Sequence, residues 1–368
     1  MNKRALSSQL KGGVNMFFRK KWILMSAFLL LASLLVAGCG NSETTATNET
    51  NEEDQSEGEN EEKYVIKFAH VVSPSTAKGK AAEKFAELIS EKTDGRIEVE
   101  IYPDSQLGSD REITEQMQSG TVQMNAPFTG VLPSFVKQFE VFDLPFLFSD
   151  KDMAYNAMHG ELGGILDSHL NTQGLRTLGY WDGGFKHLTN SVRAIEKPAD
   201  MEGLKMRTSQ SPLLISQFQA LGAGGVSIDF AELYTALQTE TVDGQENPLS
   251  NIVSKKFYEV QDYLTLSSHG YMGYVLMISE DFYQSLPEDL QKTVDEVAQE
   301  VSDWQWEQAA ADEVKYMEIL EESGIEITEL TEENRDAFIE ATKSVYDEFK
   351  EIEGSEEILQ AIENARGN

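Results

Sequence analysis

Apolar and polar residues alternate with two different periods after residue 63, and together they predict strands interleaved with helices. Residues 97–101 alternate isoleucine and valine with glutamate, which is typical of a strand with one buried face. Residues 76–93 carry apolar side chains one helical turn apart and end at an Asp-Gly pair, which predicts a helix. Strands at 65–69 and 122–126 and a helix at 110–119 complete a β-α-β-α-β order, which favours a parallel sheet.

A second block of alternating elements begins near residue 175. We expect the segment 179–186, which contains Trp181 and Lys186, to be a strand end that runs into a loop. The predicted elements of this block are strands at 175–181, 204–208, 226–228 and 274–279, and helices at 212–221 and 230–239.

Residues 287–323 contain no internal glycine or proline and predict one helix about 55 Å long. That is longer than one small lobe is wide, so we expect the helix to span two lobes. The fold class is therefore predicted as α/β with two lobes, a hinge and a cleft between them. Ligands in such folds lie at the carboxyl ends of the strands.

The N-terminus has a different pattern, with a basic head followed by a short apolar run. Residues 1–21 hold six bases and no acid, and residues 22–37 are apolar or small. A run of 16 residues is short for a membrane span, which needs about 20. With the small residues before Cys39, the pattern predicts a lipoprotein signal peptide over 1–38 and a lipidated, palmitate-bearing Cys39. Met16 opens an equally good signal, so either methionine is compatible with it.

The residues after Cys39 predict a tether. Residues 41–62 hold nine acids, no base and no large apolar side chain, a composition that cannot offset chain entropy by burial. We therefore expect 39–62 to be a disordered acidic segment between the lipid and the folded part. Cys39 is the only cysteine in the sequence, so no intramolecular disulfide is expected. The protein would then lie lipid-anchored on the outer face of the bacterial cytoplasmic membrane.

The net charge of −33 narrows the choice of partners. Nucleic acid is not expected as a partner, because its binding needs a basic face. The acidic residues repel an anion at long range, so any anion site must be built from local cations. Such a site is feasible because screening over about 8 Å at physiological salt shields it from the distant acids.

Catalytic motifs are missing from the sequence. It has no GxSxG, P-loop, HExxH or CxxC pattern, and its five histidines are scattered. We therefore expect no cofactor, no metal and no enzymatic activity. The competing hypothesis is a secreted lyase or glycosidase that uses two cleft carboxylates such as Asp110 and Glu246.

Three segments offer side chains for an anion. Arg207 falls where a strand ends before a helix, and its planar fork suits a carboxylate. Asn247 precedes a proline and carries an uncharged amide donor. Lys186 is a candidate second cation and Trp181 a candidate apolar wall. Taken alone, each also fits a surface ion pair, a turn or a core position.

The chain resembles a known family in several segments that follow one another at matching spacing from residue 65 to about 300. The segments are Tyr102–Gly108, Asp143–Phe148, Gly179–Lys186, Gly203–Thr208, Ala236–Thr239, Val242–Pro248 and Ser254–Gln261. They are similar to the extracytoplasmic solute-binding proteins of TRAP transporters, and most of all to the C4-dicarboxylate-binding (DctP-like) branch. The resemblance implies a periplasmic-binding-protein-like fold that captures an organic acid and passes it to a sodium-coupled membrane permease.

The resemblance also implies roles for individual residues. Arg207 matches the arginine that clamps the ligand carboxylate, Asn247 the carboxylate-binding asparagine, and Phe230 the aromatic that packs on the ligand. Asp110 matches an acidic position after the Gln-Leu-Gly turn. Phe128, Val131 and Phe185 replace polar residues of the sialic-acid branch, which favours a smaller acid. Lys186 is then our candidate cation for a second carboxylate.

The expected mechanism is a hinge closure. Lobe I is predicted over 63–182 and 273–312, with Asp110 and Thr129 facing the cleft, and lobe II over 183–272 and 313–368. A ligand held by Arg207 in the open cleft would be enclosed when the lobes close. We expect a monomer that delivers its acid to the permease subunits. The alternative is the same fold presenting its ligand to a membrane sensor kinase.

Overall fold

The computed structural model describes residues 62–367, which form one mixed sheet of nine strands flanked by helices. The predicted signal peptide, Cys39 and all but the last residue of the tether lie outside the described residues. The strands are β1 (Tyr64–Ala69), β2 (Ile97–Tyr102), β3 (Met124–Asn125), β4 (Leu175–Asn190), β5 (Lys205–Thr208), β6 (Gly224–Ser227), β7 (Gly244–Asn247), β8 (Tyr263–Ser279) and β9 (Glu326–Glu329).

The strand order is β2-β1-β3-β8-β4-β7-β5-β6, with β9 added beside β8. β1 runs parallel to β2 and β3, and β5 runs parallel to β6 and β7. Between these two groups, β4 and β8 pair antiparallel with each other. The prediction of a parallel sheet is therefore correct within each end and wrong for the centre, where two long strands join the groups.

Twelve α-helices surround the sheet in the described part of the chain. They are α1 (Ala77–Lys92), α2 (Asp110–Gln118), α3 (Lys151–Met158), α4 (Glu161–Asn171), α5 (Pro212–Ala220), α6 (Leu233–Gln238), α7 (Leu249–Ser254), α8 (Glu280–Ser285), α9 (Glu288–Ser323), α10 (Glu332–Ala341), α11 (Lys343–Lys350) and α12 (Ser355–Arg366). Short 3₁₀ helices cover Thr129–Ser134, Lys137–Asp143, Pro198–Met201, Phe230–Glu232 and Phe257–Glu259.

Helix boundaries follow the capping chemistry of the sequence. The Thr76 hydroxyl accepts from Gly79 N at the start of α1, and Ser109 with Glu112 forms a capping box on α2. α9 begins after Pro287 and ends at Gly324, whose φ of +88° suits glycine. The predicted 287–323 helix is thus one residue longer than the 36-residue helix observed.

The segment 179–186 is not a loop, which corrects the prediction. β4 continues through it to Asn190, and its pairing with β8 shifts register between Asp182 and Gly184. The extra residue, Gly183, forms a β-bulge, and the next residue, Gly184, has a φ of +99°. The Gly-Gly pair therefore marks an irregularity inside a long strand.

α9 packs against elements from both ends of the sheet. It contacts α1 beside β1 and β2, crosses β4, and contacts α7, which follows β7. The last helices, α11 and α12, pack against α5 and against α3 and α4 respectively. No helix within residues 62–367 combines the length and the apolar composition needed to cross a bilayer.

Candidate functional site

A cleft opens where the carboxyl ends of β1, β2 and β3 face those of β5, β6 and β7. It holds about 690 Å³ of empty space, including the part open to solvent. Its walls come from both groups of strands, as expected for a ligand site in this class of sheet. The residues that line it include Asp110, Arg111, Phe128, Arg207, Phe230, Glu246, Asn247, Asn251 and Tyr274.

Arg207 lies on β5 and is only 6% exposed. Its Nε donates to the Ile228 carbonyl at 2.8 Å, which fixes the orientation of the guanidinium plane. Burial lowers the pKa of Arg207 to about 10, although Glu246 and Asp229 oppose this, so the group stays charged at neutral pH. Neither acid forms an ion pair with it within residues 62–367, which leaves the charge of the guanidinium for an incoming anion.

Asn247 lies at the end of β7, and its amide is held on both sides. Its Nδ2 donates to Gln245 Oε1, and its Oδ1 accepts from Asn251 Nδ2 at 2.8 Å. The side chain lines the cleft with a second N–H still to donate. Parallel β5 and β7 place Arg207 beside Gln245, two residues before Asn247, so the strand register brings the two predicted side chains to one wall.

Phe230 and Asp110 complete the set of predicted residues that line the cleft. Phe230 opens the 3₁₀ turn after β6 and packs edge-on against Phe257, with ring centres 6.1 Å apart. Asp110 is the first residue of α2, and its Oδ2 accepts from Phe128 N at 3.3 Å. Burial raises the pKa of Asp110, although the charge of Lys78 and the Phe128 N–H oppose this.

Glu246 also lines the cleft, but its charge is already balanced. Lys186 Nζ lies 2.8 Å from its Oε1, and His269 Nε2 lies 3.0 Å from its Oε2. Burial would raise the pKa of Glu246, but Lys186 and His269 outweigh it and lower this pKa to about 2. A neutralised carboxylate repels an anion in the cleft less than a free one would.

Three predicted residues are not among those lining the cleft. Lys186 is 1% exposed and paired with Glu246. Trp181 is fully buried, with its Nε1 donating to Ser302 Oγ on α9 at 2.9 Å. Thr129 is also fully buried and packs against β8, where a methyl group on Gly273 would come within 3.2 Å of its Cγ2. The structure therefore gives these three side chains structural contacts in place of cleft contacts.

Arg111 and Tyr274 are among the cleft residues that the sequence did not single out. Arg111 follows Asp110 in the first turn of α2, and its Nε donates to Glu115 at 3.0 Å on the surface. Its position beside a predicted site residue is the signal that was available. Tyr274 lies on β8, where only an apolar strand was expected, and the buried Lys78 ammonium lies 4.0 Å from its ring centre.

The described residues offer no ready metal centre, because no group of three or more His, Cys, Asp or Glu side chains within 62–367 converges to hold an ion. The expectation of a metal-free, cofactor-free site stays a prediction.

Comparison with known proteins gives one consistent family. Residues 68–352 match the DctP model, described as bacterial extracellular solute-binding protein, family 7. The chain is 42% identical over 299 residues to the C4-dicarboxylate-binding periplasmic protein DctP of Rhodobacter capsulatus, covering 81% of this chain and 90% of that protein. It is 35% identical to the C4-dicarboxylate-binding protein DctB of Bacillus subtilis, covering 92% of this chain and 99% of the relative.

Solved structures agree with the sequence relatives. A TRAP periplasmic solute-binding protein from Sulfurospirillum deleyianum with bound succinate matches with a TM-score of 0.79 at 40% identity, covering 82% of this chain and 99% of that chain. A sugar acid binding protein from Advenella mimigardefordensis in complex with galactonate matches with a TM-score of 0.80 at 34% identity, covering 83% and 99%. These structural neighbours are solute-binding proteins with small organic acids bound.

Proposed function

Because this chain belongs to the DctP family of TRAP-transporter extracytoplasmic solute-binding proteins, we propose that it captures a C4-dicarboxylate such as succinate at Arg207 and delivers it to a sodium-coupled membrane permease. The observation that carries the proposal is the buried Arg207 guanidinium, which faces a cleft and has no carboxylate ion-paired to it in the described part of the chain. Relatives named for C4-dicarboxylates and the succinate-bound neighbour support this choice of acid.

In the proposed complex, one carboxylate of the acid accepts two hydrogen bonds from Arg207 and one from the Asn247 amide. Phe230 covers the carbon chain, and Asp110 lies on the facing wall. Charge-assisted hydrogen bonds contribute roughly 1.5–3 kcal/mol each. Micromolar binding requires about 8 kcal/mol. Apolar enclosure and the exclusion of water must therefore add to the Arg207 contacts.

We assign the second carboxylate to Arg111 instead of Lys186. Arg111 lines the cleft, and its partner Glu115 is exposed, so the pair is weak and easily exchanged. Lys186 is buried and neutralised by Glu246, and withdrawing it would leave Glu246 without its closest cation. Two guanidinium groups in one cleft suit a doubly charged acid.

The proposed lobes move about the bulge of β4. The predicted boundaries, 182/183 and 272/273, coincide with the register shift between the Asp182–Gly273 and Gly184–Met272 pairs. A register shift weakens the local ladder, which supports bending at this point. Closure would exclude water from the cleft and bring lobe I onto an acid held by Arg207.

The proposed protein is a monomer tethered to the outer face of the cytoplasmic membrane by a palmitate-bearing lipid on Cys39. The family is extracellular, and the basic head, apolar run and Cys39 of the sequence support the anchor. If Cys39→Ala leaves the protein in the membrane fraction, the anchor is excluded.

A thermal-shift screen of about fifty organic acids, followed by calorimetry, tests the function, because a ligand that binds only the folded state raises its melting temperature. We expect succinate, malate or fumarate to give the largest shift. Arg111→Ala should weaken succinate binding more than binding of butyrate, which has the same length and one carboxylate, whereas the matched control Glu115→Ala should not. A screen in which no C4-dicarboxylate raises the melting temperature would contradict the proposal.

A further inference from the structure

A chain of buried amides and one hydroxyl runs from the cleft into the protein behind β7. Asn247 Nδ2 donates to Gln245 Oε1, and Gln245 Nε2 donates to Thr189 Oγ1 at 2.9 Å. Thr189 Oγ1 in turn donates to Gln261 Oε1 at 3.0 Å. The four side chains are at most 3% exposed, and of these only Asn247 lines the cleft.

The far end of this chain fixes its direction. Gln261 Nε2 donates to the backbone carbonyls of Val260 at 3.0 Å and Asp243 at 3.4 Å. A carbonyl can only accept, so the Gln261 amide cannot turn round without setting its oxygen against two others. Gln261 Oε1 therefore faces Thr189 and needs its hydroxyl proton, which leaves the Thr189 oxygen to accept from Gln245 Nε2.

The same logic continues to the cleft. With Gln245 Nε2 committed to Thr189, Gln245 Oε1 faces Asn247 and can only accept. Asn247 must therefore turn its NH₂ toward Gln245 and its oxygen toward Asn251 Nδ2. An isolated asparagine could present either its oxygen or its NH₂ to a bound acid. Here the hydrogen-bond chain selects the donor.

We propose that Thr189, Gln245 and Gln261 are positioning residues that fix Asn247 as a donor to the ligand carboxylate. This inference rests on the proposed function, in which Asn247 contacts the acid. The strand register supports it, since Thr189 of β4 lies directly opposite Gln245 of β7. Without this hydrogen-bond chain, Asn247 would spend part of its time with its Oδ1 toward the ligand, where it would repel the carboxylate oxygen.

Thr189→Val tests the inference, because it removes the hydroxyl, keeps the shape and lies away from the cleft. We expect it to weaken succinate binding about tenfold in calorimetry, roughly what one lost charge-assisted hydrogen bond gives. Thr189→Ser keeps the hydroxyl and should bind nearly as the native protein does. Thr265→Val is the matched control. Thr265 is equally buried on the neighbouring strand, and its hydroxyl donates to the Ile195 carbonyl, which is not part of this hydrogen-bond chain.

A double-mutant cycle separates positioning from general destabilisation. If Thr189 acts through Asn247, Thr189→Val should have no further effect on affinity in an Asn247→Ala background. The same factor in both backgrounds, or equal losses for Thr189→Val and Thr265→Val, would overturn the inference. If Asn247→Ala leaves succinate affinity unchanged, Asn247 does not contact the acid and the inference fails with that role. If Asn247→Ala weakens binding but Thr189→Val does not, only the positioning role of the hydrogen-bond chain is overturned.

Hydrogen exchange of the Asn247 side-chain amide tests the inference in protein without any bound acid. In ¹⁵N-labelled protein, the Asn247 NH₂ signals are identified by their loss in Asn247→Ala. We expect their hydrogen exchange to be slow in the native protein and in Thr265→Val, and clearly faster in Thr189→Val. If Thr189→Val does not fold, Gln261→Met, which removes the carbonyl-bound end of the chain, takes its place. Unchanged exchange in the folded variant would contradict the inference.

Discussion

Among single residues, Arg207 and Glu246 set the balance of charge in the cleft. Glu246 is paired with Lys186 and His269, while Arg207 forms no ion pair in the described part of the chain. Near Lys186, burial raises the pKa of Asp143 to about 7, although the Lys186 charge opposes this. The negative charge that would repel an incoming anion near Arg207 is thereby reduced.

Asp143→Asn should make the protein more stable at pH 8 and leave its stability nearly unchanged at pH 4. A buried acid with a raised pKa holds a proton that the unfolded chain has lost, so stability falls as pH rises from about 4 to 7. Urea unfolding at several pH values should show this fall in the native protein and a reduced one in Asp143→Asn. The exposed Asp336→Asn on α10 is the control, and identical pH profiles for the native protein and Asp143→Asn would contradict the account.

Four of the seven proposed ligand residues, Arg207, Asn247, Phe230 and Asp110, line the cleft, and their contact with a ligand stays a prediction. Arg207 and Asn247 were candidates from their positions in the sequence, and the family resemblance added Phe230 and Asp110. Lys186 could not be assigned without the structure, because its partner Glu246 is 60 residues away in sequence and meets it only through the β4–β7 register. Arg111 was missed because a surface arginine beside an acid has no distinctive pattern.

At the scale of elements, the contact between α9 and the β4 bulge holds the centre of the molecule. The backbone N–H and C=O of Asp182 lie beside the bulge, where β7 does not pair with β4. Gln305 of α9 satisfies both of them: its Oε1 accepts from Asp182 N at 2.8 Å, and its Nε2 donates to Asp182 O at 2.7 Å. One side chain thus satisfies both backbone polar groups of Asp182 beside the bulge.

Gln305→Leu should destabilise the protein by about 2–4 kcal/mol, because it leaves a buried N–H and a buried C=O of Asp182 without partners. The free energy of unfolding in urea measures this loss. The matched control is Gln299→Leu on the exposed face of the same helix, for which we expect a change within about 0.5 kcal/mol. A loss no greater in Gln305→Leu than in Gln299→Leu would show that the bridge is dispensable.

Helices were easier to predict than the central strands. α1, α2 and α9 carry their own start and stop signals, such as Thr76, Ser109 and Gly324, and the predicted bounds lie within a residue of those observed. The predicted 230–239 helix instead begins with a 3₁₀ turn. β4 and β8 were predicted too short, because glycines that normally end a strand here occupy a bulge.

At the scale of the whole molecule, an acidic chain must attract a small anion. A net charge of −33 repels anions at long range, but screening limits that field to about 8 Å at physiological salt. Among the described residues, Arg207 and Arg111 are the cations that line the cleft. In the proposed mechanism, capture therefore depends on local cations and on closure, and the global charge serves solubility.

Closure should be visible as a change of overall size. For a protein beginning at Lys63, we expect the radius of gyration from small-angle X-ray scattering to fall when succinate is added to saturation, because the lobes move together. Arg207→Ala should show no fall at the same succinate concentration. Identical scattering curves for the native protein with and without saturating succinate would exclude hinge closure as the response to binding.

Calorimetric titration of succinate into the native protein, Arg207→Ala and Arg207→Lys shows whether the Arg207 guanidinium holds the acid. We expect Arg207→Ala to weaken succinate binding about 100-fold or more, since two charge-assisted hydrogen bonds are lost, and Arg207→Lys to restore only part of the affinity. Arg335→Ala, an arginine that packs on Phe146 and is not among the residues lining the cleft, should bind as the native protein does. Unchanged succinate affinity in a folded Arg207→Ala variant would contradict the account.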